Sequence, residues 1–202
     1  MTSQGGTTPA NRAPRPVSWR TLAAGAAWSV PVIAVGAAAP AMAASICGPL
    51  PAFAAPAWTI TTSGSSVTGT GAASFGGGNF EQTHDASRGS TFVATASSSL
   101  AVVAGVVYTF VLSFRAYVTN TQPMRTYLDV GGSPLTGLPL VDTSLLAVNS
   151  GSTYHVSSRT AAYVATSTGT VAVAVRTSIS TPVGGVTSGD DMLVHPLVLT
   201  CA

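Results

Sequence analysis

Along most of the chain from residue 57 onward, apolar and polar side chains alternate with a period of two, and the three-four spacing of an amphipathic helix is almost nowhere found. The clearest stretch is 106–117 (VVYTFVLSFRAY), entered through Gly105. Tyr108, Phe110, Leu112 and Phe114 fall on one face, and Val107, Thr109, Val111, Ser113, Arg115 and Tyr117 on the other, as in a strand with one buried side. The same alternation predicts strands over 57–62, 65–70, 91–95, 100–103, 125–130, 138–141, 153–156, 161–166, 170–179 and 192–200. Turn-forming residues separate them at 76–79 (GGGN), 131–134 (GGSP), 149–151 (NSG) and 182–185 (PVGG). Many short strands without helical interludes predict an all-β fold, a two-sheet antiparallel sandwich or a barrel. No fixed-period repeat appears, which argues against a propeller or a solenoid.

The first 43 residues follow a different pattern. Arg12, Arg15 and Arg20 give a positive start with no acidic residue, an apolar run covers 22–39 (LAAGAAWSVPVIAVGAAA), and Ala41-Met42-Ala43 supplies a small-x-small cleavage site. These are the parts of a secretory signal peptide. The run is slightly short for a bilayer span and is interrupted by Gly25, Pro31 and Gly36. The expected division is therefore a cleaved leader, 1–43, and one β-sandwich domain, 44–202. The leader resembles signal sequences of high-GC Gram-positive (actinobacterial) proteins. Ser18-Trp19-Arg20-Thr21-Leu22 resembles a twin-arginine motif with Trp19 in place of the first arginine, so both that route and general secretion stay open. Ile46 before Cys47 argues against lipidation, and 199–202 carries no sorting signal or apolar tail. The expectation is a protein without a stable membrane anchor after cleavage, secreted or held at the cell surface by noncovalent contacts.

Removing the leader changes the sign of the charge. The whole chain carries +2, whereas 44–202 holds five arginines (Arg88, Arg115, Arg125, Arg159, Arg176) against six acids (Glu81, Asp85, Asp129, Asp142, Asp190, Asp191), or −1. Lysine is absent and the arginines are scattered, which excludes a phosphate-binding surface and a nucleic-acid partner. Long runs of Val, Tyr, Phe and Leu supply the core that a disordered chain lacks. Cys47 and Cys201 are the only cysteines; in an exported chain they are expected to form a disulfide, in preference to a metal pair or a free thiol, because no CxxC spacing exists.

Several features recur in one order: an early tryptophan segment (Pro56-Ala57-Trp58), the Gly105 strand with Tyr108 and Phe110, an aromatic pair Tyr154 and Tyr163, 169–175 (GTVAVAV), and a closing 189–194 (GDDMLV). Together they resemble the galactose-binding-like jelly roll of many bacterial carbohydrate-binding modules, in which an aGxxYxφxφ strand and a final DDφxφ strand are typical. The family's Asn-Gly-x-Phe-Glu opening does not precede Trp58; Asn79-Phe80-Glu81 echoes it later. The resemblance implies a jelly-roll sandwich, carbohydrate binding and a structural calcium near the last strand, with Asp190, Asp191 and Glu81 as its candidate ligands. Hard cations of this kind take oxygen ligands; the other reading of Asp190 and Asp191 is that they cap a turn.

Catalytic motifs are missing: there is no GxSxG, HExxH, P-loop or dinucleotide fingerprint, and His84, His155 and His195 lie far apart. A glycosidase would need two carboxyls set at a fixed separation, and none of the six acids stands in a recognisable context. Sugar binding needs exposed aromatic faces beside polar groups. Tyr117 shares a strand face with Arg115, and Tyr127 shares one with Asp129; with Tyr154 these are the candidate ligand-binding residues. Trp58 is expected to anchor the core. The leading expectation is a noncatalytic binder of polysaccharide or cell-wall glycan. The alternative is a structural or adhesive surface protein that self-associates, and a hydrolase would require three acid/base groups converging in one cleft.

Overall fold

The computed structural model describes residues 47–67, 71–119, 121–149, 153–181 and 189–202; the expected leader, 1–43, and its cleavage site lie outside them. The chain is all-β. Its strands are β1 (Thr59–Gly64), β2 (Ala73–Gly76), β3 (Asn79–Gln82), β4 (Thr91–Val102), β5 (Val107–Tyr117), β6 (Met124–Val130), β7 (Ser133–Pro134), β8 (Val141–Asp142), β9 (His155–Val164), β10 (Gly169–Ser180), β11 (Asp191–Val194) and β12 (Val198–Cys201), with one 3-10 turn at Thr143–Leu145. They form two antiparallel sheets, as the alternation predicts.

Sheet I runs β1-β4-β10-β6-β7, with β8 also on β6. Sheet II is built around β5. One edge of β5 pairs with β9 from Val107 to Ala116; the other pairs with β12 over Tyr108–Val111 and with β11 over Phe114–Tyr117. Beyond β11 follow β3 and then β2. β11 and β12 are thus one strand path broken at Pro196, which has no N–H to donate to a ladder.

Between the sheets, β5 contributes Tyr108, Phe110, Leu112 and Phe114, all fully buried, as its alternation requires. β4 and β10 contribute the smaller Ala94, Ala96, Val173 and Val175, and a mix of large and small side chains lets the layers interdigitate. One region of the core is an aromatic cluster around Phe53, whose ring lies 4.5 Å from Trp58 and 6.1 Å from Phe80. Trp58 is 1% exposed and donates its indole N–H to Pro51 O at 3.0 Å, as expected of a core anchor. Cys47 and Cys201 form the expected disulfide, 154 residues apart in sequence, so the first described residue is covalently joined to the last strand.

The boundaries differ from the sequence reading in several places: the expected 192–200 is split into β11 and β12, the expected 138–141 is reduced to β8, and β7 lies within the expected 131–134 turn. The expected strands 91–95 and 100–103 are one strand, because the polar Ser97–Ser99 stretch is held in the ladder by β10 on one side and, at Ser97, by β1 on the other. The expected 153–156 and 161–166 merge into β9 through continuous pairing with β5. The 65–70 segment makes only an isolated bridge, Ser66 to Ala86, among its described residues. The β2–β3 hairpin was not expected: its strands are four residues each and turn at Gly77 and Gly78 (φ +58° and +82°), where left-handed backbone favours glycine.

Candidate functional site

The outer face of sheet II carries the candidate site. Because Phe114 and Ala116 point into the core, Arg115 and Tyr117 point out. The register sets Glu81 opposite Leu193 and Leu193 opposite Arg115, in one row across β3, β11 and β5. Asp191 stands opposite Tyr117 in the next row. Tyr154, just before β9, is 47% exposed; the Arg115 guanidinium sits 4.2 Å from its ring centre and the Tyr117 ring meets it edge-on at 5.8 Å. Glu81, Thr83, Arg115, Tyr154, Asp191 and Leu193 line an open depression of about 280 Å³. Glu81, Arg115 and Asp191 make no ion pair and no side-chain hydrogen bond among the described residues. Charged donor and acceptor capacity is therefore left over beside an aromatic surface.

Asp191 titrates abnormally. Burial, and after it the neighbouring carboxylates of Asp85 and Asp190, push its pKa up to about 6. In the unfolded chain the group returns to about 3.9. Between these values the folded protein holds a proton that the unfolded chain has released, so this residue's contribution to stability falls as pH rises from about 4 through 6. Thermal midpoints of the parent and Asp191→Asn across pH 4–8 test this. The difference between them should widen in favour of the variant up to about pH 6 and then level off; a pH-independent difference would refute the assignment.

The outer face of sheet I holds a contrasting cluster. Tyr127 and Asp129 do share a face, with Arg176 from β10 as their partner. Arg176 Nε donates to Asp129 Oδ2 at 2.8 Å, its Nη2 donates to Oδ1 at 3.3 Å, and its guanidinium lies 4.1 Å from the Tyr127 ring centre. Nearby, Arg125 pairs with Asp142 at 2.9 Å. Tyr127 also lines a wider depression of about 650 Å³ with Arg125, Leu138, Leu145 and Arg159. Arg159 donates to Ser157 Oγ and Ser158 O, both at 2.9 Å. The charged groups here are largely matched to one another.

The five expected ligand-binding residues are thus divided. Arg115, Tyr117 and Tyr154 come together on sheet II, while Tyr127 and Asp129 lie on the outer face of sheet I. Glu81 and Asp191, expected as metal ligands, line the sheet II depression. Asp190 faces the opposite way, fully buried, and its Oδ1 accepts from Thr119 N at 2.6 Å and from Thr119 Oγ1 at 2.9 Å. Its Oδ2 accepts from the Thr143 hydroxyl. Among the described residues no group of three or more His, Cys, Asp or Glu side chains is placed to hold a metal ion. The histidines do not enter the depression's lining: His155 Nε2 bonds Ala147 O at 2.6 Å, His195 Nδ1 bonds Asn79 Oδ1 at 3.0 Å, and His84 packs against Phe92. Arg176, Thr83 and Leu193 were not singled out from sequence. Alternation alone puts Arg176 on a strand face; its pairing with Asp129 needs the β6–β10 register.

No family model and no curated protein matches the chain. Among solved structures, the chain is similar to the enzymatically active domain of bacteriophage CBA120 tailspike protein 4, at 12% identity and a TM-score of 0.36, over 74% of this chain and 20% of that one. The chain therefore spans about a fifth of the length of that protein. It is also similar to TmCBM61, solved in complex with β-1,4-galactotriose, at 10% identity and a TM-score of 0.28, over 73% of this chain and 90% of that one.

Proposed function

We propose that the protein is a noncatalytic extracellular β-sandwich that binds a polysaccharide or cell-wall glycan on the outer face of sheet II. The observation that carries this reading is the set Glu81, Arg115 and Asp191, without an ion pair or side-chain hydrogen bond among the described residues, around a depression beside the exposed Tyr154 ring. A pyranose presents an apolar C–H face and a rim of hydroxyls. The face suits a tyrosine ring, while the hydroxyls can accept from the guanidinium and donate to the carboxylates. The Arg176–Asp129 pair on sheet I lacks this capacity because each group already has the other. The disulfide suits an oxidising compartment, and no described helix is long and apolar enough to cross a membrane.

Retention on insoluble polysaccharides and peptidoglycan, followed by affinity electrophoresis in soluble glycans, tests the proposal. Arg115→Ala and Tyr154→Ala should each weaken binding about tenfold or more, as expected for a lost charge-assisted hydrogen bond or stacking ring. Arg176→Ala should leave it unchanged. Retention on no glycan, or equal losses from all three variants, would overturn the site. Release of reducing ends that disappears in Glu81→Gln would overturn the noncatalytic part.

A further inference from the structure

β9 is an edge strand with unusual self-complementarity. Ala165 N donates to Val106 O at 3.1 Å and Gly105 N donates to Ala165 O at 2.8 Å, so residue 165 bonds toward β5. By the two-residue period, residues 155, 157, 159, 161 and 163 do the same across the β5–β9 ladder. Val156, Ser158, Thr160, Ala162 and Val164 therefore direct their N–H and C=O groups away from β5. No described strand pairs with that edge. One local contact reaches it, from Arg159 Nη1 to Ser158 O, and a carbonyl oxygen has a second lone pair. Long edges are normally guarded by lysine, proline, bulges or inward-pointing charge. β9 has no lysine, proline or acid over its ten residues; its single charge, Arg159, stands opposite the core-facing Leu112 and is the strand's one inward-pointing guard, while Val156 and Val164 are 72% and 56% exposed.

We infer that the protein forms a two-fold dimer by antiparallel pairing of β9 with β9 of a second copy, with Thr160 opposite the partner's Thr160. In this register Val156 lies opposite the partner's Val164, Ser158 opposite the partner's Ala162, and Arg159 opposite the partner's Ala161. Every group that faces the edge meets one that faces it in return, and the exposed valines cover each other. A shift of two residues one way sets Arg159 directly against the partner's Arg159, a like-charge pair that costs stability. The opposite shift sets Val164 against the partner's Ser158 and carries Val156 past the end of the partner strand. A shift of one residue would oppose the outer face of one strand to the inner face of the other. The strand's own sequence selects one register.

The two-fold axis stands perpendicular to the sheet, so sheet II becomes continuous across both copies and the two depressions open on the same side. A glycan chain that reaches both would bind with avidity above either site alone. That consequence rests on the proposed function; the dimer does not.

Light scattering over a concentration series should give twice the monomer mass, and Thr160→Lys should raise the dissociation constant about fivefold by setting two like charges directly opposite each other. Thr160 is exposed in the monomer, so the substitution leaves the core intact. Cysteine variants read the register itself, because opposed residues in a hydrogen-bonded antiparallel pair lie about 5.5 Å apart at Cα, within disulfide range. Oxidised Thr160→Cys should run as a covalent dimer, as should Ser158→Cys combined with Ala162→Cys, whereas Ser158→Cys alone should not. A strictly monomeric species, no cross-link in Thr160→Cys, or equal cross-linking of Ser158→Cys would overturn the inference. None of these readings involves a glycan, so failure here is distinguishable from failure of the binding site.

Discussion

Replacing Cys47 and Cys201 by alanine should remove about 5 kcal/mol of stability, the chain-entropy value for a closed loop of this length. A domain of ordinary stability has only about 5–15 kcal/mol in total. With a urea slope of about 2 kcal/mol/M, the midpoint should fall by about 2.5 M. The physical cause lies largely in the unfolded chain, where the bond excludes every conformation that separates the ends. It also has a native-state component. Val107 N and O both pair with Ala202 at 3.0 Å, so the residue after Cys201 belongs to the same ladder that the bond fixes. Reduction of the intact protein should reproduce the alanine variant's urea midpoint. A shift under 1 M in both would show that the ladder alone holds the ends.

What could be read from sequence divides along a physical line. β5 was legible because its period-two alternation is strict over eleven residues and needs no partner to be recognised. β2 and β3 were not, because four-residue strands around a glycine pair carry almost no pattern; they are strands because β11 pairs with β3. The polar middle of β9 reads as a break for the same reason, and only pairing with β5 makes it continuous. At the candidate site, Arg115 and Tyr117 share a face by local arithmetic. Their meeting with Glu81 and Asp191 depends on the β3–β11–β5 register, between residues far apart in the chain, which no local pattern encodes. One signal was available. Adjacent residues on a strand point to opposite sides, so Asp190 and Asp191 at the start of the last strand path were poor candidates for a common ion.

That division gives Asp190 a different role and a large expected effect. Thr143 Oγ1 accepts from Met124 N at 2.7 Å, so its own hydrogen is directed to Asp190 Oδ2, while Thr119 supplies an N–H and a hydroxyl to Oδ1. A cation site gathers acceptors; this carboxylate is surrounded by donors. It ties the start of β11 to the ends of the β5 and β6 regions through one buried anion. Asp190→Ala would leave a backbone N–H at Thr119 and a fully buried hydroxyl at Thr143 without their acceptor. Loss of about 3–5 kcal/mol is expected, since each stranded buried donor costs about 1–3 kcal/mol and more where a charge was involved. For a domain of this size the thermal midpoint should drop by roughly 10 °C. Asp190→Asn should cost less, because it keeps one acceptor oxygen. Thr143→Val should lose stability in the parent and much less in the Asp190→Ala background, since the two groups share a network and their effects do not add. Equal effects of Thr143→Val in both backgrounds would show that the two act independently. Calcium or a chelator should leave all five midpoints unchanged; a calcium-dependent rise in the parent that Asp190→Ala abolishes would restore the carboxylate as a metal ligand.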